Sequence, residues 1–119
     1  MTKKIETLVE KCKAFQMLEG RILVHPLKLR SYKTTDMVPD DEANKGKNPM
    51  LEELKLKKKV LTVNYAYQKA VVLNVPENIT NIKVGDTIIY RLNNLQDFEL
   101  VKGVSMLRGF EVISIIKAQ

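Results

Sequence analysis

The chain contains no tryptophan, and it has only one cysteine and one histidine among its 119 residues. The lone cysteine, Cys12, excludes an internal disulfide and is typical of a reducing compartment. The lone histidine, His25, has no second histidine or cysteine at the spacing of metal ligands, and no serine or cysteine nucleophile is paired with it. Paired carboxylates and a glycine-rich phosphate loop are missing as well. We therefore predict that the protein is not an enzyme and that it holds no metal or cofactor.

Long apolar runs are missing too. A membrane-spanning helix needs about 20 consecutive apolar residues, whereas the longest runs here are a handful of residues. Lys3 and Lys4 are not followed by the apolar segment of a signal peptide. These absences predict a cytoplasmic protein with no membrane partner. A chain of this length with 45% hydrophobic residues is expected to fold as one compact domain.

A net charge of +6 raises the question of nucleic-acid binding. The excess is modest, and its densest part is a lysine segment made of Lys55, Lys57, Lys58 and Lys59. Such a segment is more typical of one solvated face of a strand, or of lysines that protect a strand edge, than of a phosphate track. With four tyrosines and three phenylalanines, a stacking platform for single strands is only weakly indicated. We rank nucleic acid last among the partners.

The first twenty residues predict an amphipathic helix. Apolar residues recur at helical spacing over residues 3–18, and Gly20 follows as a C-terminal cap. The apolar positions are Ile5, Leu8, Val9, Cys12, Phe15 and Leu18. This face either packs on the rest of the domain, which we favour, or serves as a docking helix.

A strand and a long polar loop are predicted next. Residues 21–30 have apolar side chains on both sides, and Pro26 predicts that this strand lies at a sheet edge or breaks there. Residues 31–53 lose apolar periodicity and predict a long loop, with a short helix starting near Asn48 and Pro49. Its apolar residues either fold back or bind a partner. These candidate partner-binding residues are Met37, Val38, Met50, Leu51 and Leu54.

The last third of the chain has the pattern of a small β-barrel. A strand over residues 65–75 precedes a Val-Gly-Asp turn at 84–86 that leads into an apolar run. Three short strand-like runs follow, with Gly103 and Gly109 between them. The closing strand, residues 111–117, is almost continuously apolar, so we expect it at a sheet edge where it pairs between subunits.

Taken in order, these segments resemble the small co-chaperonins of the GroES-like family. The family has an opening strand with a proline-containing element, a mobile loop, a valine-rich strand, and a Val-Gly-Asp turn before the final strands. The matching segments here are RILVHP at 21–26, the polar loop, QKAVVLNV at 68–75, IKVGDTIIY at 82–90, FELV at 98–101 and VISII at 112–116. The likeness covers about residues 21–117, and the helix at 3–18 has no counterpart in the family.

The resemblance implies a mainly β fold, a small GroES-like partly open β-barrel, to which the apolar spacing adds an N-terminal amphipathic helix. The helix would occupy residues 1–20, and the barrel domain residues 21–119 with the polar loop at 31–53. The resemblance also implies a ring assembled through the first and last strands, which binds a chaperonin through apolar loop residues. The subunit-interface candidates are Ile22, Val24, Val112, Ile113, Ile115 and Ile116.

Three functions follow from these observations. The first is a non-enzymatic, homo-oligomeric co-chaperonin subunit that binds a chaperonin, or another large protein assembly, and assists protein folding. The second is a structural or assembly component that reuses the barrel and docks through the added helix. The third is a nucleic-acid-binding barrel that uses the lysine segment. A divergent, lysine- and asparagine-rich chain suits a phage version, which would act in the host cytoplasm or form part of a virion.

Overall fold

The computed structural model describes residues 2–46 and 54–118, over which the protein is mainly β with an N-terminal helix. The chain divides into two compact units: the first is Met1–Arg30 with Tyr65–Gln119, and the second is Ser31–Asn64. The helix thus belongs to the same unit as the main sheet, and no unit boundary falls at residue 20. The elements are α1 (Lys3–Cys12), β1 (Arg21–Pro26), β2 (Ser31–Pro39), β3 (Leu56–Asn64), β4 (Tyr67–Asn74), β5 (Thr87–Arg91), β6 (Gln96–Asp97), β7 (Ser105–Arg108) and β8 (Val112–Ile116).

Helix α1 is shorter than the apolar spacing predicts. Thr2 caps its start, because the threonine hydroxyl accepts a hydrogen bond from the Ile5 N–H at 3.3 Å. The helix ends at Cys12 instead of continuing to residue 18. There the side-chain amide of Asn74 donates to the carbonyl oxygens of Cys12 and Phe15, at 2.8 and 2.7 Å. The Cys12 carbonyl also accepts from the Phe15 N–H at 3.1 Å, so a local turn and a side chain from β4 together close the end of the helix.

Residues 13–20, which follow the helix, form turns and irregular backbone. Phe15 packs edge-to-face on Phe98, with ring centroids 5.0 Å apart, whereas Leu18 is exposed and not part of a buried helical face. Glu19 and Gly20 both have positive φ, +58° and +71°. Gly20 therefore belongs to the turn that leads into β1, and its predicted role as a helix cap is wrong.

One face of α1 packs on the main sheet, mostly on β4, which confirms the interpretation that we favoured. Its buried side chains join residues of β1, β4 and the segments around β7 in one core cluster. The buried members of this cluster are Ile5, Leu8, Cys12, Met17, Leu23, Leu73 and Val104. Cys12 is a completely buried core residue, and this burial raises the pKa of its thiol.

The main sheet is antiparallel, with the strand order β6-β7-β1-β4-β5-β8. β1 lies inside the sheet, paired with β4 on one side and β7 on the other, so the prediction of an edge position for it is wrong. The alternative, a break at the proline, is confirmed because β1 ends at Pro26. Within the described residues, β6 and β8 form the two edges, and the sheet is not closed into a barrel.

The main sheet nevertheless curls. β7 and β8 occupy the second and sixth positions, and four strand spacings of a flat sheet amount to about 19 Å. Only the turn Gly109–Glu111 joins them, and the four residue steps from Arg108 to Val112 reach at most about 14 Å. The sheet must therefore bend to bring the start of β8 towards the end of β7.

The second core cluster lies on the other face of the sheet, away from α1. Side chains from β1, β4, β5 and β7 meet there, and Val112 and Ile115 of the edge strand β8 pack against them. Its buried members are Ile22, Val24, Ala70, Val72, Ile82, Ile88, Tyr90 and Leu107. A core on each face explains why β1 and β4 are apolar on both sides.

Much of the predicted polar loop is a strand. β2 and β3 form a two-stranded antiparallel sheet with nine paired positions, from Ser31 opposite Asn64 to Pro39 opposite Leu56. We call this unit the hairpin. Tyr, Thr and Val residues favour the extended backbone, but both faces of the ribbon carry polar residues, so no apolar alternation marks it. Met50, Leu51 and the predicted short helix at Asn48 lie outside the described residues.

Candidate functional site

Side chains of the hairpin alternate between two faces, and directly paired residues share a face. We call one the Met37 face and the other the Tyr32 face. The Met37 face comprises Lys33, Thr35, Met37 and Pro39 from β2 with Leu56, Lys58, Val60 and Thr62 from β3. The Tyr32 face comprises Tyr32, Thr34, Asp36 and Val38 from β2 with Lys57, Lys59, Leu61 and Val63 from β3.

Large apolar side chains are exposed on the Met37 face. Met37, Leu56 and Val60 are 50, 53 and 65% exposed, and they lie on adjacent rungs of the ladder. On the Tyr32 face, Leu61 and Val63 are half-buried, and Tyr32 is 44% exposed. The Met37 face is thus the more apolar of the two surfaces, because it carries three of the four large hydrophobic side chains that the paired strands expose.

The predicted partner-binding residues divide between several places. Met37 is on the exposed face, but its neighbour Val38 is half-buried on the Tyr32 face, so the two do not form one patch. Leu54 is half-buried just before β3. Sequence reasoning missed Leu56 and Val60, because Leu56 interrupts the lysine segment and Val60 directly follows it. Period-2 alternation from Leu56 would have placed both on one face with Lys58.

The lysine segment lines both sides of β3. Lys57 and Lys59 are on the Tyr32 face and Lys58 is on the Met37 face, so the prediction of one solvated face is wrong. All three side chains are exposed. Since β3 is an edge strand of a two-stranded sheet, the alternative prediction, protection of a strand edge, fits their position.

The far end of the hairpin ladder is closed by side-chain hydrogen bonds. Asn44 pairs with the backbone of Lys55, donating to its carbonyl oxygen and accepting from its N–H, both at 2.7 Å. The Asp40 carboxylate accepts from the N–H groups of Glu42 and Ala43 at 3.2 and 3.3 Å. The Asn44–Lys55 pair holds the two sides of the hairpin together where the ladder ends, and the Asp40 contacts shape the turn that follows β2.

The closing strand β8 is an edge strand, as predicted, because it pairs only with β5. Its pairing register shifts between Ile89 and Tyr90, which leaves Ile113 as the extra residue of a β-bulge. Ile113 and Ile116 are 53 and 46% exposed. These two side chains are available to a second subunit.

The other predicted interface residues are less accessible to a second subunit. Ile22 and Val24 are completely buried in the core of their own unit, on a strand that is hydrogen-bonded on both sides. We therefore remove both from the interface, since no surface of either remains for a partner. Val112 and Ile115 are partly buried and pack on the same core.

The Val-Gly-Asp turn fixes the end of β8. Gly85 has φ +95°, a conformation that favours glycine, and Asp86 is buried behind it. The Asp86 carboxylate accepts from the N–H groups of Lys83 and Ala118 at 3.0 and 3.1 Å, and from the Lys117 ammonium at 3.0 Å. Burial by itself would raise the pKa of Asp86, but these hydrogen bonds and the lysine charge outweigh it and lower the pKa.

His25 has a structural position. Its Nδ1 lies 2.7 Å from the carbonyl oxygen of Gly103, which ties β1 to the loop before β7. The ring lines an open cleft of about 630 Å³ bounded by residues 97–99 and 101–105. Across residues 2–46 and 54–118, no three His, Cys, Asp or Glu side chains converge as metal ligands.

Comparison with protein-family models, with curated proteins and with solved structures found no match. In the part of the chain that the structure describes, no helix has the length and apolar character needed to cross a membrane. The function has to be inferred from the chain's own surfaces, among which the Met37 face and the β8 edge carry the exposed apolar residues described above.

Proposed function

We propose that the protein is a co-chaperonin-like subunit without enzymatic activity. In this proposal the first unit is a GroES-like, partly open β-barrel with an added helix, and copies of it assemble through the β8 edge. The hairpin then binds a chaperonin and the assembly assists protein folding. The proposal extends the resemblance of residues 21–117 to the co-chaperonin family.

The curl of the main sheet supports the barrel part of the proposal. β7 and β8 are brought together by a three-residue turn although three strands lie between them in the sheet order. Residues from β1, β4, β5, β7 and β8 surround one apolar core, as a partly open barrel would require. The Val-Gly-Asp turn, whose Asp86 accepts a hydrogen bond from the Ala118 N–H just after β8, also supports the proposal.

The hairpin is the observation that carries the proposal. It leaves the main sheet between β1 and β4, the position of the mobile loop in the family, and none of its described residues is buried. A two-stranded hairpin without a buried face is only marginally stable in water. A partner that covers its apolar residues would stabilise it and gain roughly 1.5–3 kcal/mol for each large apolar side chain that becomes fully buried.

Pairing of the strands lowers the cost of binding. A flexible loop would lose about 1–2 kcal/mol of backbone entropy for each residue that becomes ordered on a partner. Nine paired positions of the hairpin are already held by ladder hydrogen bonds, so much of that cost is met before binding. The paired strands therefore support the proposal that the hairpin is a preformed binding element. From the sequence we expected a flexible loop there.

The experiment measures the molecular mass of the protein in solution and its binding to a chaperonin. We expect light scattering to report a homo-oligomer, and we expect the oligomer to bind a purified bacterial chaperonin in a sedimentation assay. Replacing Met50 and Leu51 by serine is expected to weaken chaperonin binding at least about tenfold, a loss of about 1.4 kcal/mol, with the melting temperature nearly unchanged. The control is Val84→Ser, an exposed apolar residue of the first unit.

The possible results of these measurements distinguish the three candidate functions from one another. A monomer that does not bind chaperonin overturns the proposal. Loss of several degrees in melting temperature in the Met50 and Leu51 variant, again without chaperonin binding, favours the structural or assembly component instead. Submicromolar binding of duplex DNA with a log–log salt slope of about 4 would favour the nucleic-acid-binding barrel.

A further inference from the structure

The two faces of the hairpin differ in charge as well as in exposure. Within the paired strands, the Met37 face carries Lys33 and Lys58 and no carboxylate. The only carboxylate of the two strands, Asp36, is on the Tyr32 face directly opposite Lys59. The exposed apolar face is therefore also the face whose cations lack a carboxylate beside them.

The spacing of these groups indicates the kind of partner. Lys58 lies opposite Met37, four residues along β2 from Lys33, which separates the two lysines by about 13 Å at 3.3 Å per residue. Val60 lies on the rung between them, opposite Thr35, and Leu56 lies beyond Lys58. A phosphate backbone that joined the two lysines would have to cross exposed apolar side chains.

We propose that the Met37 face binds an acidic, amphipathic protein surface. The partner's apolar side chains pack on Met37, Leu56 and Val60, and its carboxylates pair with Lys33 and Lys58. This inference rests on the proposed function, because it names the chemistry of the partner surface that the same hairpin binds. Charge complementarity of this kind sets the specificity and the rate of association more than the affinity itself.

Adjacent lysines on opposite faces provide a matched test. Lys58→Glu places a carboxylate on the Met37 face, whereas Lys57→Glu makes the same change one residue away on the Tyr32 face. Both side chains are exposed, and neither lies opposite a carboxylate, so both variants are expected to fold. We expect Lys58→Glu to weaken binding of purified chaperonin by about tenfold or more, because like charges then face each other, and Lys57→Glu to change it less than about twofold.

A second probe does not depend on the chaperonin. Two designed helical peptides would share one leucine face and differ only in their flanking residues, glutamate in one and lysine in the other. We expect the wild-type protein to bind the glutamate peptide at least about tenfold more tightly than the lysine peptide, with the preference reduced by added salt. Amide NMR shifts on binding should be largest at Met37, Lys58 and Val60.

Apolar contact is tested by Val60→Ser, with Thr62→Ser as its control on the same face. If the inference is correct, Val60→Ser weakens binding of the glutamate peptide severalfold and Thr62→Ser does not. Equal effects of both substitutions, or equal effects of Lys58→Glu and Lys57→Glu, would overturn it. The wild-type protein could instead bind duplex DNA or phosphatidylserine vesicles tightly, with equal loss of that binding in Lys58→Glu and Lys57→Glu. That result would show that the hairpin binds anions in general.

The two proposals fail in different ways. If chaperonin binds but the two lysine variants do not differ, the Met37 face is not the contact and the proposed function stands. If chaperonin does not bind but the glutamate peptide binds with loss only in Lys58→Glu, the inference stands and the partner is another protein.

Discussion

Tyr90 is fully buried in the core of the curled sheet, and its hydroxyl has no hydrogen-bond partner among the residues that the structure describes. Burial also raises the pKa of its phenol. An unpaired buried hydroxyl costs about 1–3 kcal/mol of desolvation. We therefore expect Tyr90→Phe to raise the free energy of unfolding by about 1 kcal/mol, measured by urea denaturation.

Tyr90→Leu is the control for packing. It removes ring volume from a filled core, so its free energy of unfolding should fall by about 2 kcal/mol or more. A destabilised Tyr90→Phe variant would show instead that the hydroxyl has a partner in solution.

Asp86 is the second residue whose environment predicts a measurable effect. Its folded-state pKa lies below the ordinary value of about 3.9, so the ionised carboxylate favours the folded protein. This contribution is present above about pH 4 and is lost as the pH falls through the lowered folded-state pKa. Asp86→Asn should therefore lose about 2 kcal/mol of stability at pH 7, mostly from the two backbone hydrogen bonds.

The pH dependence distinguishes this effect from a general loss of packing. The stability of Asp86→Asn and of the wild type should converge as the pH falls from about 4 through the lowered folded-state pKa of Asp86, where the wild-type carboxyl also becomes neutral. Lys117→Met should cost less than Asp86→Asn, because the Lys117 side chain is 58% exposed and solvent screens its charge. A difference between Asp86→Asn and wild type that stays constant from pH 7 to pH 3 would contradict this account.

At the scale of elements, the sequence predicted what local patterns encode. The Val-Gly-Asp turn was predicted because it requires a glycine with positive φ at position 85. The edge strand β8 was predicted because its residues are almost continuously apolar. The helix was predicted too long because its end depends on Asn74, a residue 62 positions from Cys12. Such distant hydrogen bonds leave no signal in the helical periodicity.

The β2 strand of the hairpin was missed for a different reason. Alternation of apolar and polar residues marks a strand only when one face is buried, and no described residue of the hairpin is buried. Residues 31–39 therefore look like a loop, although Tyr32, Thr34 and Thr35 favour the extended backbone. The candidate site was predicted in part, since Met37 was found and Leu56 and Val60 were not.

At the scale of the whole molecule, the two edges of the main sheet are unlike each other. β8 has five residues and carries a bulge, whereas β6 has only two residues. A contact between β8 of one copy and a different surface of the next is heterologous, so it forms a ring if the rotation closes and a filament if it does not. The exposed Ile113 and Ile116 are the apolar side chains that such a contact would cover.

The proposed assembly through β8 predicts the result of placing a charge on this edge. Ile113→Lys is expected to reduce the mass in solution to that of one chain, 13.6 kDa, because a lysine on an edge strand opposes pairing with another strand. Its melting temperature, compared with that of a dilute wild-type sample, should change little, since Ile113 is the bulged and exposed residue of β8. Leu100→Lys, with the same gain of charge at a side chain that is 74% exposed, serves as the control and should keep the wild-type mass. An Ile113→Lys variant that keeps the oligomeric mass by light scattering would place the subunit contact elsewhere than on β8.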